Sequence, residues 1–290
     1  MKKLATLALQ DGTVIEGIAF GAETDAVFEL VFNTSMTGYQ EILTDPSYRG
    51  QAVLFTVSHI GNVGINLEDD ESAKPQISAA VIRSLSPVVS NWRSTLSLSD
   101  WLVQHDVPGI SGVDTRWLTR KLRDGGTQKA ALSTKGTSAE KLLAMANEWS
   151  GLDGRDMVKE VTCEEPYHWV NDAGSKWVES KEQLPENSEQ PSVNRPWSIV
   201  AYDFGIKENI LRHLSSYGAN VTVVPADTTA DEVLAMKPDG VFLSFKWSRR
   251  PCGLAICRRS CEWIDRKRRS HIWNLSRSSN HRARNGCGYT

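Results

Sequence analysis

The chain has no run of 18 apolar residues, which excludes a helix able to cross a bilayer. It begins MKKLATLALQDG, where two lysines are followed too soon by acidic Asp11 for a secretory leader, so a cytoplasmic location is expected. No GxxxxGK[ST] word occurs, so the chain carries no P-loop for nucleotide phosphates. Cysteine is scarce: Cys163 stands alone before Cys252, and Cys252, Cys257, Cys261 and Cys287 crowd the C-terminal stretch. Acidic residues are scarce in that same stretch. Residues 246–290 hold only Glu262 and Asp265 against 12 Lys and Arg, whereas residues 1–245 hold 33 Asp and Glu against 21 Lys and Arg. The net charge of −2 hides these opposite parts.

A chain of 290 residues with 40% hydrophobic content can bury two cores of ordinary size. Residues 4–9 and 14–19 alternate around Asp11-Gly12, which predicts a hairpin. Residues 27–32 and 51–57 read as strands, and VIRSLSPVVS at 81–90 as another, interrupted by Pro87. Ser99 or Asp100 is expected to cap a helix over 101–105. Asp114 caps a longer one with Trp117, Leu118 and Leu122 on one face, ended by Gly125-Gly126, and residues 138–149 form a third. Residues 1–150 are therefore a mixed α and β domain. Residues 151–196 change character, with Trp169 and Trp177 as the main apolar anchors, and 181–196 reads as a solvated linker. From Trp197 a strand, a helix over 207–217, a strand over 220–225, a helix over 229–236 and a strand over 240–244 alternate. This pattern predicts the first three strands of a doubly wound parallel sheet, whose chemistry belongs at the carboxyl ends of the strands. Those ends are Asp203-Phe204-Gly205 and Ser244 onward.

The densest cluster of hydrogen-bonding side chains is FNTSMTGYQEILTDPSY, residues 32–48. Apolar strand residues end at Asn33, a small polar turn follows, residues 39–43 suit one helical turn, and Pro46 shapes a second turn through Ser47 and Tyr48. Composition alone reads equally as a capped, self-bonded surface loop and as a binding site.

That word, with HIGNVGIN at 59–66, VDTRWLTRKLRDGG, GLDGRDMVKEV and VAYDFGIKENILRHL, closely resembles the small, glutamine-hydrolysing subunit of carbamoyl phosphate synthase. The likeness runs from the N-terminus to about Ser244. It implies an α/β chain with a small-subunit N-terminal domain (1–150), a connecting segment (151–196) and a partial class I glutamine amidotransferase domain (197–244). It also implies a ligase complex of pyrimidine and arginine synthesis. In that family the serine of the TDPSY word binds glutamine, and here it is Ser47. The partners implied are glutamine and a large synthetase subunit. No cofactor is expected in this chain: ATP and Mg would bind the large subunit. No nucleic acid, membrane or metal partner is expected.

The family's nucleophilic cysteine lies in a word like GICLGHQ, and a glycine-rich word, SNGPGDP, lines its glutamine pocket. Neither occurs here. After Ser244 the chain loses its apolar alternation, and residues 245–290 are expected to be a disordered, non-native tail. The genetic code supplies a reason. Residues 245–252 can be encoded TTC AAA TGG TCC AGG AGA CCC TGC, and from the second base this reads S-N-G-P-G-D-P. Residues 271–280 can be encoded CAC ATT TGG AAT CTG TCT CGG TCA TCA AAT, which one base on reads T-F-G-I-C-L-G-H-Q. Both missing words lie in the same displaced frame, so the chain reads as frame-shifted and cut short after about Ser244. No catalytic residue is assigned. Cys257 and Cys261, with His271 and His281 downstream, imitate a zinc site by spacing alone.

Other residues carry plainer expectations. His59 reads as a structural loop histidine before a base. Asp203 reads equally as a backbone-bonding and a functional carboxylate. Lys207 is expected to be solvated, although the family word YDFGxKxNI places it near the pocket. Residues 68–71, EDDE, read as a solvated acidic loop. Two alternatives to a glutamine-hydrolysing subunit remain: a non-catalytic docking module for the large subunit, and a basic-tailed nucleic-acid binder.

The displaced frame is directly testable. The nucleotide sequence over codons 240–290 should open SNGPGDP and then GICLGHQ one base out of register. Codons that spell neither word in that frame would overturn it.

Overall fold

A computed structural model of the chain describes residues 3–170, 196–244 and 272–274. The first half opens with a hairpin of β1 (Leu4–Leu9) and β2 (Val14–Gly21). Thr13 N donates to the Asp11 side chain at 3.0 Å, and Gly12 takes a φ of +89° that closes the turn. The chain continues through β3 (Asp25–Asn33), α1 (Tyr39–Thr44) and a 3₁₀ turn at Pro46–Tyr48. Next come β4 (Gln51–Phe55), β5 (His59–Ile60), β6 (Ala79–Val81), β7 (Ser84–Leu85) and α2 (Leu98–Gln104). β8 (Pro108–Ser111), α3 (Thr115–Gly125), β9 (Gln128–Ser133) and α4 (Ala139–Glu148) complete this half.

Seven of these strands close into a barrel in the order β1-β2-β8-β6-β4-β3-β9. The β3-β4-β6-β8 stretch is parallel and the remainder antiparallel. Alternate residues fill it: Leu7, Leu9, Phe28, Leu30, Leu54, Ile110 and Leu132 form one core, which Leu118 and Leu122 of α3 close. On the outer face of β4, Val53 and Phe55 pack with Leu43, Ile60, Leu98 and Leu102. Both faces of β4 are therefore buried, which is why AVLF is an unbroken apolar run.

After α5 (Val158–Val161), β10 (Tyr167–His168) leads to the second sheet. It comprises β11 (Trp197–Asp203), α6 (Glu208–Ser216), β12 (Ala219–Pro225), α7 (Ala230–Ala235) and β13 (Gly240–Leu243), with β14 at Ile272–Asn274. The strand order is β10-β12-β11-β13-β14, parallel except for β10. Ile206 and Leu211 pack on one face against Val221 and Val223, and Val233 of α7 packs on the other with Val200, Tyr202 and Val224. The doubly wound arrangement expected from the sequence is present.

Several expectations are corrected. Residues 81–90 are not one strand. They give only the last residue of β6 and the two-residue β7, because the chain turns between the two sheets to which these strands belong. The helix near Trp101 starts earlier, at Leu98, since Ser97 rather than Ser99 or Asp100 accepts the capping N–H, from Asp100. Trp117 does not share the buried face of α3. It is 47% exposed, with the Lys121 ammonium 5.7 Å from its ring centroid, while Leu118 and Leu122 are buried. The sheet has five strands rather than three. An edge dipeptide adds antiparallel β10, and Ile272–Asn274, in the stretch expected to be non-native, pairs parallel with β13. The outer edge of β13 presents N–H and C=O groups whatever the side chains of the pairing strand, so sequence pattern gave no signal of this. The remaining expectations for the linker and tail, with Cys252, Cys257, Cys261 and Cys287, lie outside the described residues.

Barrel closure leaves no room at Gly17. A Cβ there would sit 2.4 Å from the Ser111 carbonyl oxygen and 2.7 Å from Ile110 Cγ1, whereas one on Gly240 meets nothing within 4 Å. Gly17→Ala should therefore destabilise the barrel by about 1–3 kcal/mol, as overpacking does, and Gly240→Ala should leave the urea midpoint unchanged. Equal midpoints for the two variants would contradict the close β2–β8 approach.

Candidate functional site

Residues 32–48 run from the end of β3 to the start of β4, and the structure divides them. The front part is a self-bonded turn: Ser35 N donates to Asn33 Oδ1 at 2.7 Å and Asn33 Nδ2 donates to the Tyr48 hydroxyl at 2.9 Å. Residues 35–37 are exposed. The back part is braced from within the barrel domain. Tyr39 donates its hydroxyl to Gly64 O at 2.6 Å, and Gln40 Nε2 donates to Asn66 O at 2.5 Å. Thr44 Oγ1 accepts from Glu71 N at 2.8 Å, and Ser72 Oγ donates to Thr44 O at 2.6 Å. Desolvation pushes the Tyr39 hydroxyl well above an ordinary tyrosine, which keeps it a neutral donor.

This bracing fixes the Asp45-Pro46-Ser47 turn. Asp45 Oδ1 accepts from Ser47 N at 2.9 Å and from the Ser47 hydroxyl at 2.5 Å. Asp45 Oδ2 meets Lys207 Nζ, from the second domain, at 2.7 Å. The Asp45 side chain is only 3% exposed and that of Lys207 31%. Burial disfavours the lysine's charge, but the bond to Asp45 and the fields of Asp45, Glu71 and Tyr48 outweigh it and hold its pKa above the usual value. Ser47, expected from the sequence as the binding serine, thus sits at the domain seam beside an ion pair whose carboxylate is buried. The expectation that Lys207 is solvated is overturned, because the second domain docks it onto the barrel.

The acidic loop is corrected in the same way. Asp69 pairs bidentately with Arg93, at 2.9 and 3.0 Å, and only Glu68 is largely open. The Asp70 side chain accepts from Gln40 at 2.9 Å, and its carbonyl accepts from Arg212 of α6 at 3.0 Å. Glu71 is 6% exposed. Its carbonyl accepts from Glu208 N at 3.1 Å and its carboxylate from Asn209 N at 3.0 Å. Burial raises its pKa, against the pull of the Asn209 N–H, Lys207 and Arg212.

At the carboxyl ends of the parallel strands, Asp203 serves the backbone. It accepts from Gly205 N at 3.0 Å, Ile206 N at 2.9 Å and Cys163 N at 2.8 Å. Burial raises its pKa despite those three donors. Gly205, at φ +89°, turns β11 into α6 and so aims Lys207 at Asp45. Ser244 Oγ donates to Tyr202 O at 3.0 Å and accepts from Phe204 N at 3.2 Å, tying the ends of β11 and β13 together. His59 is exposed on the short β5–β7 ladder. Cys163 is the free cysteine among the described residues. Burial, helped by the Asp203 charge, pushes its thiol up to about 12, so it is a poor nucleophile. A cavity of about 610 Å³ lined by Lys74, Thr162, Cys163, Phe204 and Asp227 does not reach Ser47 or Lys207.

Sequence reasoning singled out Ser47 as an expected glutamine-binding residue and missed Asp45 and Glu71 as partners of the second domain. The signal was available only as an excess of polar residues with no local reason to be buried.

Known proteins resemble the chain over most of its length. Residues 7–132 match the family model described as "Carbamoyl-phosphate synthase small chain, CPSase domain", and residues 200–245 match "Glutamine amidotransferase class-I". A carbamoyl phosphate synthase small chain of Syntrophotalea carbinolica is 51% identical over 240 residues, 83% of this chain and 62% of that one. Its counterpart in Vibrio parahaemolyticus is 50% identical over 258 residues, 88% and 66% respectively. The chloroplastic small chain of rice is 48% identical over 241 residues, covering 83% of this chain and 52% of that one. The chain spans about three fifths of the length of the curated relatives it matches.

Asp203→Ala would leave two buried N–H groups, and the half-buried one of Cys163, without an acceptor. It should destabilise the second domain by about 3 kcal/mol or more, read as a lower urea midpoint for that domain with the barrel transition unmoved. A loss below about 0.5 kcal/mol would show that those donors find water instead.

Proposed function

Because residues 7–132 belong to the carbamoyl phosphate synthase small-chain family, we propose that this chain derives from a subunit that hydrolyses glutamine and passes ammonia to a large synthetase subunit. The observation that carries this reading is the placement of Ser47. Its hydroxyl is held by Asp45, which is itself paired with Lys207 across the seam between the barrel and the amidotransferase sheet. A polar substrate with charged ends needs donors and acceptors of both signs in a fixed array, and Ser47, Asp45 and Lys207 are groups of that kind held together at the seam.

Hydrolysis of a carboxamide needs a nucleophile, a base to activate it and donors for the oxyanion. In the displaced frame the word GICLGHQ would supply a cysteine to attack the carboxamide carbon. The amide nitrogen, once protonated, leaves as ammonia, and water then releases glutamate from the thioester. In the frame as translated that word is absent, and the Cys163 thiol is held too high to replace it. We therefore infer that the chain as it stands has no glutaminase activity and acts at most as a docking subunit. Carbamoyl phosphate would then form from free ammonia on the large subunit, where ATP and Mg belong. The docking reading is favoured by the completeness of the barrel, whose seven strands close without the tail.

Two measurements test this. The 290-residue chain with the large subunit should support ammonia-dependent synthesis and no glutamine-dependent synthesis, and shifting the frame after Ser244 should restore the latter. Steady glutamine hydrolysis by the unaltered chain, abolished by changing Cys257 or Cys261, would refute it. In the frame-restored protein, Ser47→Ala should weaken glutamine use by about 1.5–3 kcal/mol, the worth of a hydrogen bond to a charged group. Ammonia-dependent synthesis should be intact, and equal loss with both nitrogen sources would instead mean that Ser47 serves folding or docking.

A further inference from the structure

α6 is a nine-residue helix with no cap of its own. Its N-cap residue is Lys207, whose side chain can only donate, and no side-chain cap bond is made there. In contrast, α2, α3 and α7 are capped locally by Ser97, Asp114 and Thr229. The acceptors that α6 lacks come from the other domain. The Glu71 carbonyl takes the N–H of Glu208 and the Glu71 carboxylate takes that of Asn209, while the neighbouring Asp70 carbonyl takes the Arg212 guanidinium. Glu71 is anchored in turn, since its own N–H donates to Thr44 Oγ1, one residue before Asp45.

We propose that Glu71 is a positioning residue: it caps α6 across the domain seam and so holds Lys207 on Asp45 beside Ser47. Because the cap comes from Glu71, the N-cap position is free to be a lysine, which reaches back over the seam to the buried carboxylate. Asp45 and Glu71 therefore grip the same helix start, one through the side chain of residue 207 and the other through the backbone of residues 208 and 209. The structural part of this inference stands on geometry alone, and its consequence for glutamine rests on the function proposed above.

The test has two arms. In the unaltered 290-residue chain, Glu71→Ala should speed amide exchange at the start of α6 by about tenfold, as expected for a lost charge-assisted bond. It should also speed acylation of Lys207 by an amine-reactive ester, with exchange in β1 and β9 unchanged. Glu71→Gln, whose carboxamide oxygen still accepts, should return both readouts close to wild type, and Glu68→Ala should change neither. If Glu71→Ala also exposes the barrel, Glu71→Asp, one methylene too short, makes the same distinction. Unchanged α6 exchange, or a Gln variant as defective as Ala, overturns the cap.

In the frame-restored protein with its large subunit, Glu71→Ala should raise KM for glutamine about tenfold with kcat within about twofold. Gln should rescue it, and ammonia-dependent synthesis should be unaffected. Faster α6 exchange with an unchanged KM would overturn the positioning role. If the frame-restored wild type fails to use glutamine, the function reading falls, and the exchange arm still decides the cap.

Discussion

A carboxylate buried as deeply as Asp45 has to be paired, because an isolated buried charge costs several kcal/mol. Its own turn supplies Ser47 donors to one oxygen, and Lys207 occupies the other. The lysine belongs to the second domain, so docking of the parallel sheet brings a positive charge onto a carboxylate buried in the barrel. The orientation of α6, the course of the 66–72 loop and the place of Ser47 at the seam all follow from that requirement.

Around this pair the seam is built of backbone as much as of side chains. The loop after Asn66 is pinned to α1 through Gln40 and Thr44, and it offers its own carbonyls at Asp70 and Glu71 to Arg212 and Glu208. Main-chain acceptors have a fixed geometry once the loop is fixed, so the second domain has little freedom to slide. The raised pKa values of Glu71 and Asp203 belong to the same economy of space. Both are taken out of water to serve N–H groups.

Much of this was legible in the residue pattern. The Asp11-Gly12 hairpin, the Asp114 helix, the β11–α6–β12–α7–β13 alternation and the word containing Ser47 all signal their structures locally, through turn chemistry, caps and periodicity. The errors share one cause. VIRSLSPVVS is apolar enough for one strand but is shared between two sheets, and Trp117 is apolar but lies against Lys121 at the surface. Lys207 and EDDE are polar enough for solvent but pair with each other's domains. Composition reports what a segment would prefer alone, and in each case packing against another part of the structure decided otherwise.

The sequence by itself determined the elements, the family likeness and the absence of the nucleophile and pocket words, because each is written in neighbouring residues or in the codons behind them. Only the tertiary structure decided that the barrel closes in the order β1-β2-β8-β6-β4-β3-β9, that β13 gains an outer strand, and that Asp45, Glu71 and Lys207 meet. Those outcomes depend on contacts between residues far apart in the chain, from Val241 with Ile272 to Glu71 with Asn209. A periodic pattern has no term for such pairs, since it records which face of a segment is apolar and not what covers it.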